Sequence, residues 1–90
     1  MGTVLLKIKL MPESPDVDLE VMKKIVISEV EKGQGKNIFF EEELIAFGLK
    51  ALIVSFAIDE SVELDPLETA LGKIESVSSV QVVDMRRAFG

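Results

Sequence analysis

The chain has 90 residues, 48% of them apolar, and sets 16 acids against 10 bases for a net charge of −6, with no Cys and no His. Such a chain builds one small domain with a two-layer core, and it lacks disulfides, thiol chemistry, a Ser-His nucleophile pair and the usual ligands of zinc, copper or haem, leaving only a carboxylate-bound hard cation to consider. The acidic balance opposes direct nucleic-acid binding, no apolar run approaches the ~20 residues of a membrane span, and the start Met-Gly-Thr-Val-Leu-Leu-Lys has neither a basic leader nor a cleavage site, so a soluble, cytoplasmic domain over residues 1–90 is expected.

Thr3 to Met11 alternates as a strand, with Val4, Leu6, Ile8 and Leu10 on one face and Lys7, Lys9 and Leu5 on the other. Pro12 and Pro15 end it in a turn. Asp18 then caps a helix, with Val17 and Met22 spaced as a hydrophobic staple. Its apolar stripe is Met22, Ile25, Val26 and Val30, and Gly33-Gln34-Gly35 stops it. Asn37 to Glu43 reads as a weaker strand that runs into three glutamates. Leu49 to Ile58 is apolar on both faces and belongs in the middle of a sheet. A second helix starts at Asp65 as N-cap with Pro66 at its first position. Leu67, Ala70, Leu71 and Ile74 form its stripe, with Gly72 inside it. Val77 to Met85 is the last strand, and Arg86-Arg87-Ala88-Phe89-Gly90 a short tail.

The order βαββαβ with right-handed crossovers predicts an α+β, ferredoxin-like sandwich: a four-stranded antiparallel sheet with two helices on one face. The other sheet face has no helix to cover it and several apolar residues, which makes part of it a contact surface.

That fold serves many functions, so the residues must decide. An RNA-recognition sheet needs stacking aromatics on its inner strands, and the first strand has none. A phosphate-hydrolysing loop after the first strand needs an arginine, where this chain has Glu13 and Asp16; a metal carrier needs a ligand pair there, and Met11 is alone. Glu41-Glu42-Glu43 reads as a solvated edge that discourages sheet pairing rather than as a cation site. On charge alone Arg86-Arg87 is a solvated tail; a basic pair at a strand end also suits a carboxylate or phosphate pocket. Phe47 beside Gly48, in a chain with five Phe and no Trp or Tyr, is most economically read as capping one end of the core. The alternative is an aromatic plug that projects from the strand connection into a partner.

Three stretches carry a family resemblance over essentially the whole chain: Lys9-Leu10-Met11-Pro12-Glu13-Ser14-Pro15-Asp16-Val17-Asp18-Leu19, then Ile45-Ala46-Phe47-Gly48-Leu49-Lys50-Ala51-Leu52, then Ile74-Glu75-Ser76-Val77 leading to Val82-Val83-Asp84-Met85-Arg86-Arg87. The chain resembles the archaeal elongation factor 1-beta family, related to the catalytic domain of the eukaryotic nucleotide-exchange subunit. The resemblance implies the same fold and a guanine-nucleotide exchange factor for elongation factor 1-alpha, the GTPase that carries aminoacyl-tRNA. It implies partner contact through Phe47 and Gly48, and through a C-terminal cation near the magnesium site, matched here by Arg87 with Arg86 beside it. No enzyme chemistry and no cofactor or metal of its own is implied, and no homo-oligomer is expected. Two residues depart from the family pattern: Leu44 stands where proline is common, leaving the Phe47 loop less rigid, and arginine replaces the lysine near the end. The residues by themselves also suit a regulatory module binding a small ligand, or an assembly subunit that pairs through its uncovered sheet face.

Overall fold

The computed structural model describes residues 2–88. Chain order is β1 (Thr3–Pro12), α1 (Leu19–Lys32), β2 (Lys36–Ala46), β3 (Leu49–Asp59), α2 (Asp65–Gly72) and β4 (Val77–Ala88). The strands form one antiparallel sheet in the order β2-β3-β1-β4, so the expected ferredoxin-like α+β fold is the one observed. β3 is central, as its two apolar faces require.

Alternation builds the core. Leu6, Ile8 and Leu10 of β1 pair with Phe56, Val54 and Leu52 of β3, and all six are buried in one cluster with Met22, Val26 and Val30 of α1 and Leu67 and Leu71 of α2. Both helices therefore cover the same face. Full burial of each such side chain contributes about 1.5–3 kcal/mol.

The first helix starts as its sequence directs: the Asp18 carboxylate accepts from the Glu20 N–H at 2.9 Å and from the Val21 N–H at 3.4 Å. Ile25 departs from the expected stripe and is 40% exposed, because the buried row of α1 follows Met22, Val26 and Val30. At the stop, the left-handed residue is Gln34, with φ 70°. Gly35 is needed for space: a Cβ there would lie 2.3 Å from Val30 Cγ1 and 3.0 Å from Phe56 Cδ2.

The second helix begins one residue earlier than expected. Asp65 is its first residue, Leu64 precedes it without a capping side chain, and Gly72 is its last residue rather than an interior one. At that end the glycine carries no helical penalty of the interior kind, and a Cβ would make ordinary contact with Val80 at 3.8 Å.

The last strand corrects the sequence reading most. Arg86 and Arg87 are not a tail: β4 continues through them, pairing Arg86 with Leu5 and Arg87 with Val4. Only Phe89 and Gly90 of the expected tail lie outside the described residues. The pairing slips between Lys7 and Ile8, where Asp84 opposes Lys7 and Val82 opposes Ile8. Val83 is thus the extra residue of a β-bulge, which reverses the facing of everything after it.

Candidate functional site

The two ends of the sheet hold the candidate residues. At one end β2 and β3 are joined by the two-residue loop Phe47-Gly48, closed by the pair Ala46 and Leu49. Both loop residues have positive φ, 55° and 81°, as a type I′ hairpin requires. Gly48 suits that position. Phe47 does not, since a left-handed L-residue with a bulky side chain is strained by roughly 1–2 kcal/mol. The ring gains nothing from its own fold in return: Phe47 is 100% exposed, which excludes the core-capping role. Leu44 and Ile45 beside it are also exposed, so the tip is an apolar projection. Sequence alone ends this strand at Glu43 and leaves Leu44 and Ile45 to the connection, whereas β2 runs on to Ala46 and carries both.

At the other end, the bulge sends the two arginines to opposite faces. Arg86 shares the uncovered face with Leu5 and Lys7 and pairs with Asp84 at 3.0 Å. Arg87 turns to the helix side, where its Nη2 donates to Glu60 Oε2. Glu60 was not legible as a site residue, being 27 positions away in sequence. Val4 pairs with both Ile58 and Arg87, and Ile58 is nine residues from Leu49 along β3. At roughly 3.3 Å per residue the arginines stand about 30 Å from the hairpin tip. The long axis of the molecule is 42 Å. Phe47 and Gly48 form one tip; Arg86 and Arg87 share one strand end but face opposite sides of the sheet; the structure does not unite the two pairs.

Between these ends the uncovered face is partly closed by its own charges. Lys7 and Lys9 reach across β3 to Glu41 and Glu43 on β2, at 3.7 and 3.5 Å. Beneath them Ala51 and Ser55 are buried without any helix above, and Ser55 Oγ has no hydrogen-bond partner among the described residues. Glu42 points to the other face, to Lys23 at 3.3 Å and Lys50 at 3.9 Å. Lys23 is also bound by Glu20, and that hydrogen bond is the main reason its ammonium titrates above the usual 10.5, with Glu42 adding to the rise and desolvation opposing it. The acidic run is therefore a set of struts. No group of three or more carboxylates could hold a metal ion among the described residues. An open groove of about 340 Å³ remains near Arg86, with Leu5, Phe39 and Ala57 in its walls.

The Asp59-Glu60-Ser61 turn that carries Glu60 is tight. Asp59 Oδ1 accepts from the Ser61 hydroxyl at 2.7 Å and from its N–H at 2.9 Å. These bonds, the hydroxyl first, hold the Asp59 carboxyl below its ordinary 3.8. The carboxylates at the arginine end, Asp84, Glu60 and Asp59, are each taken up by an arginine or by the donors of Ser61. What the arrangement can do is bind at two separated points, one apolar and one cationic.

Comparisons with known proteins bear on the fold and on the family. A solved structure of the apo C-terminal domain of a cyclometallase involved in making the NPN cofactor of lactate racemase superposes on 99% of this chain and 58% of that one, with a TM-score of 0.67 and 12% identity, and so supports the fold alone. The elongation factor 1-beta of Methanosarcina barkeri is 46% identical over 88 residues, 97% of this chain and 99% of that protein. That of Methanothermobacter thermautotrophicus is 44% identical over 88 residues, 97% and 98% of the two. Residues 5–88 match the family described as the EF-1 guanine nucleotide exchange domain, a stretch that takes in the hairpin tip, the acidic struts and both arginines, and the chain belongs to that family.

Proposed function

We propose that the chain releases guanine nucleotide from elongation factor 1-alpha by gripping it at two points about 30 Å apart along the sheet, with Phe47 as an apolar anchor at one and the Arg86-Arg87 strand end as a cationic probe at the other. Membership of the exchange-domain family makes the chain a guanine-nucleotide exchange factor for that GTPase and not an enzyme. The residue roles are our reading.

A GTPase holds its nucleotide partly through Mg²⁺ bridging the phosphates. A factor that binds the empty GTPase better than the loaded one must, by linkage, weaken nucleotide binding by the same factor. No covalent step is involved. The cationic end suits the place where Mg²⁺ and phosphates sat. The separation of the two ends then sets Phe47 outside the nucleotide pocket, on a different part of the partner, so the ring supplies docking energy rather than a wedge at the phosphates.

The observation that carries this reading is Phe47 itself: fully exposed, in a left-handed conformation, on a turn that Asn would form at lower cost. Strain held without benefit to the fold points to a use outside it. The test is the release of a fluorescent GDP from elongation factor 1-alpha. Phe47→Ala should remove most of the stimulation while leaving circular dichroism unchanged; undiminished stimulation would remove the anchor.

A further inference from the structure

Strand geometry separates the two arginines, and among the described residues the ion pair of Arg87 is the one that reaches another element. Arg86 pairs with Asp84, two residues away on its own strand. Arg87 instead meets Glu60, in the turn between β3 and α2. We propose that Glu60 is a positioning residue for exchange: it fixes the Arg87 guanidinium at the end of β4 in the orientation that meets the partner, and it acts only through Arg87. This rests on the reading above that the arginine end faces the partner's nucleotide site.

The carboxylate is itself fixed from several sides. Its Oε1 accepts from the Gly2 N–H at 3.1 Å, and the Glu60 N–H donates to the Gly2 carbonyl at 3.0 Å. The neighbouring Asp59 carboxylate takes both Ser61 donors, and the Val62 N–H donates to the Asp59 carbonyl at 3.0 Å. The backbone on either side of Glu60 is thereby bonded, and Oε2 accepts from Arg87 Nη2.

A guanidinium has five N–H donors in a rigid fork. The bond to Glu60 is made from Nη2, and the Arg87 side chain remains 70% exposed, so much of the fork faces outward. A free arginine must surrender its rotamer freedom when it binds; the bond to Glu60 biases the side chain toward one orientation beforehand. An ion pair this exposed adds little to stability, which makes orientation the better explanation for a carboxylate so firmly seated.

The experiment is a double-mutant cycle on the full chain. Glu60→Ala, Arg87→Ala and the pair are compared for release of fluorescent GDP from elongation factor 1-alpha, as a function of factor concentration, with a thermal melt of each variant. Glu60→Ala should lower the maximal stimulated rate about threefold, at the lower end of couplings between residues in contact, while the half-saturating concentration changes much less. In the Arg87→Ala background the same change should do nothing further. Glu60→Gln keeps an acceptor for Gly2 and should give a smaller drop in the same direction; it also serves if the alanine variant does not fold. Stimulation by Glu60→Ala and Glu60→Gln equal to or faster than the unmodified chain overturns the proposal. So does an equal loss with and without Arg87, which marks a structural role. If the unmodified chain fails to accelerate release at all, the two-point reading fails first and takes this one with it.

Discussion

The hairpin tip and the arginine end sit at opposite ends of the same sheet and are built on opposite principles. The tip exposes Phe47 on a strained two-residue turn, with Leu44 and Ile45 exposed on the strand that leads into it. At the arginine end each guanidinium already has a carboxylate, and the turn beneath Glu60 is closed by side-chain and backbone bonds. An apolar contact needs only an uncovered surface, because desolvation is non-directional. A guanidinium contact is directional, and its geometry has to be set in advance. The difference teaches where to expect strain and where to expect pairing in a protein that acts by binding alone.

The sharpest way to break this comparison is to truncate each end. Phe47→Ala should cost the most, on the order of tenfold or more in stimulated GDP release, as buried aromatic anchors do. Arg87→Ala and Arg86→Ala should cost less, and the two ends should respond differently to salt. Raising ionic strength from roughly 0.05 to 0.5 M shortens the Debye length severalfold, so the deficit of the arginine variants should shrink while that of Phe47→Ala stays. Equal salt dependence at the two ends would erase the distinction.

Gly48 tests the tip from within the fold. There is open space around its missing Cβ, yet its φ is 81°. Gly48→Ala should therefore destabilise by about 1 kcal/mol through backbone strain alone, read as a shift in urea midpoint. No shift would mean that the turn relaxes.

At the other end the pH dependence is a smaller effect. The Asp59 carboxyl is held below 3.8 by the Ser61 hydroxyl first and the Ser61 N–H second. A depressed folded-state value adds stability above the unfolded value and loses it as pH falls through the folded one. Ser61→Ala should raise the Asp59 value toward 3.8 in a carbon-detected NMR titration. The variant should then lose less stability than the parent on acidification below about pH 4. The smallest effect should come from the struts between the ends. A double-mutant cycle on half-buried Lys9 and exposed Glu43, 3.5 Å apart, should show a coupling under about 1 kcal/mol in thermal stability.

Much of this was legible in the sequence, because the signals were local. The alternation of β1, the Asp18 cap and the βαββαβ order all appear in the structure. What was not legible depended on distant pairing. Arg86 and Arg87 looked like a tail because charged residues closing a chain carry no strand signal; their partners Val4 and Leu5 come from the far end of the sequence. Which arginine faces which side is decided by the Val83 bulge, and simple alternation from Val82 assigns them the wrong way round. The Phe-Gly pair was singled out, but its I′ geometry was hidden because Asn, Asp or Gly is the usual residue where Phe47 stands. The glutamate run is the exposed edge expected of it, but its ion pairs were hidden, because the lysines that meet it lie on β1, α1 and β3.

One substitution separates the use of Phe47 from its cost. Phe47→Asn converts the loop to Asn-Gly, the preferred I′ pair, and should stabilise the isolated chain by about 1 kcal/mol while its stimulation of GDP release from elongation factor 1-alpha falls about as far as with alanine. Full stimulation by this more stable variant would contradict the account, since the ring would then have no purpose that its strain could serve.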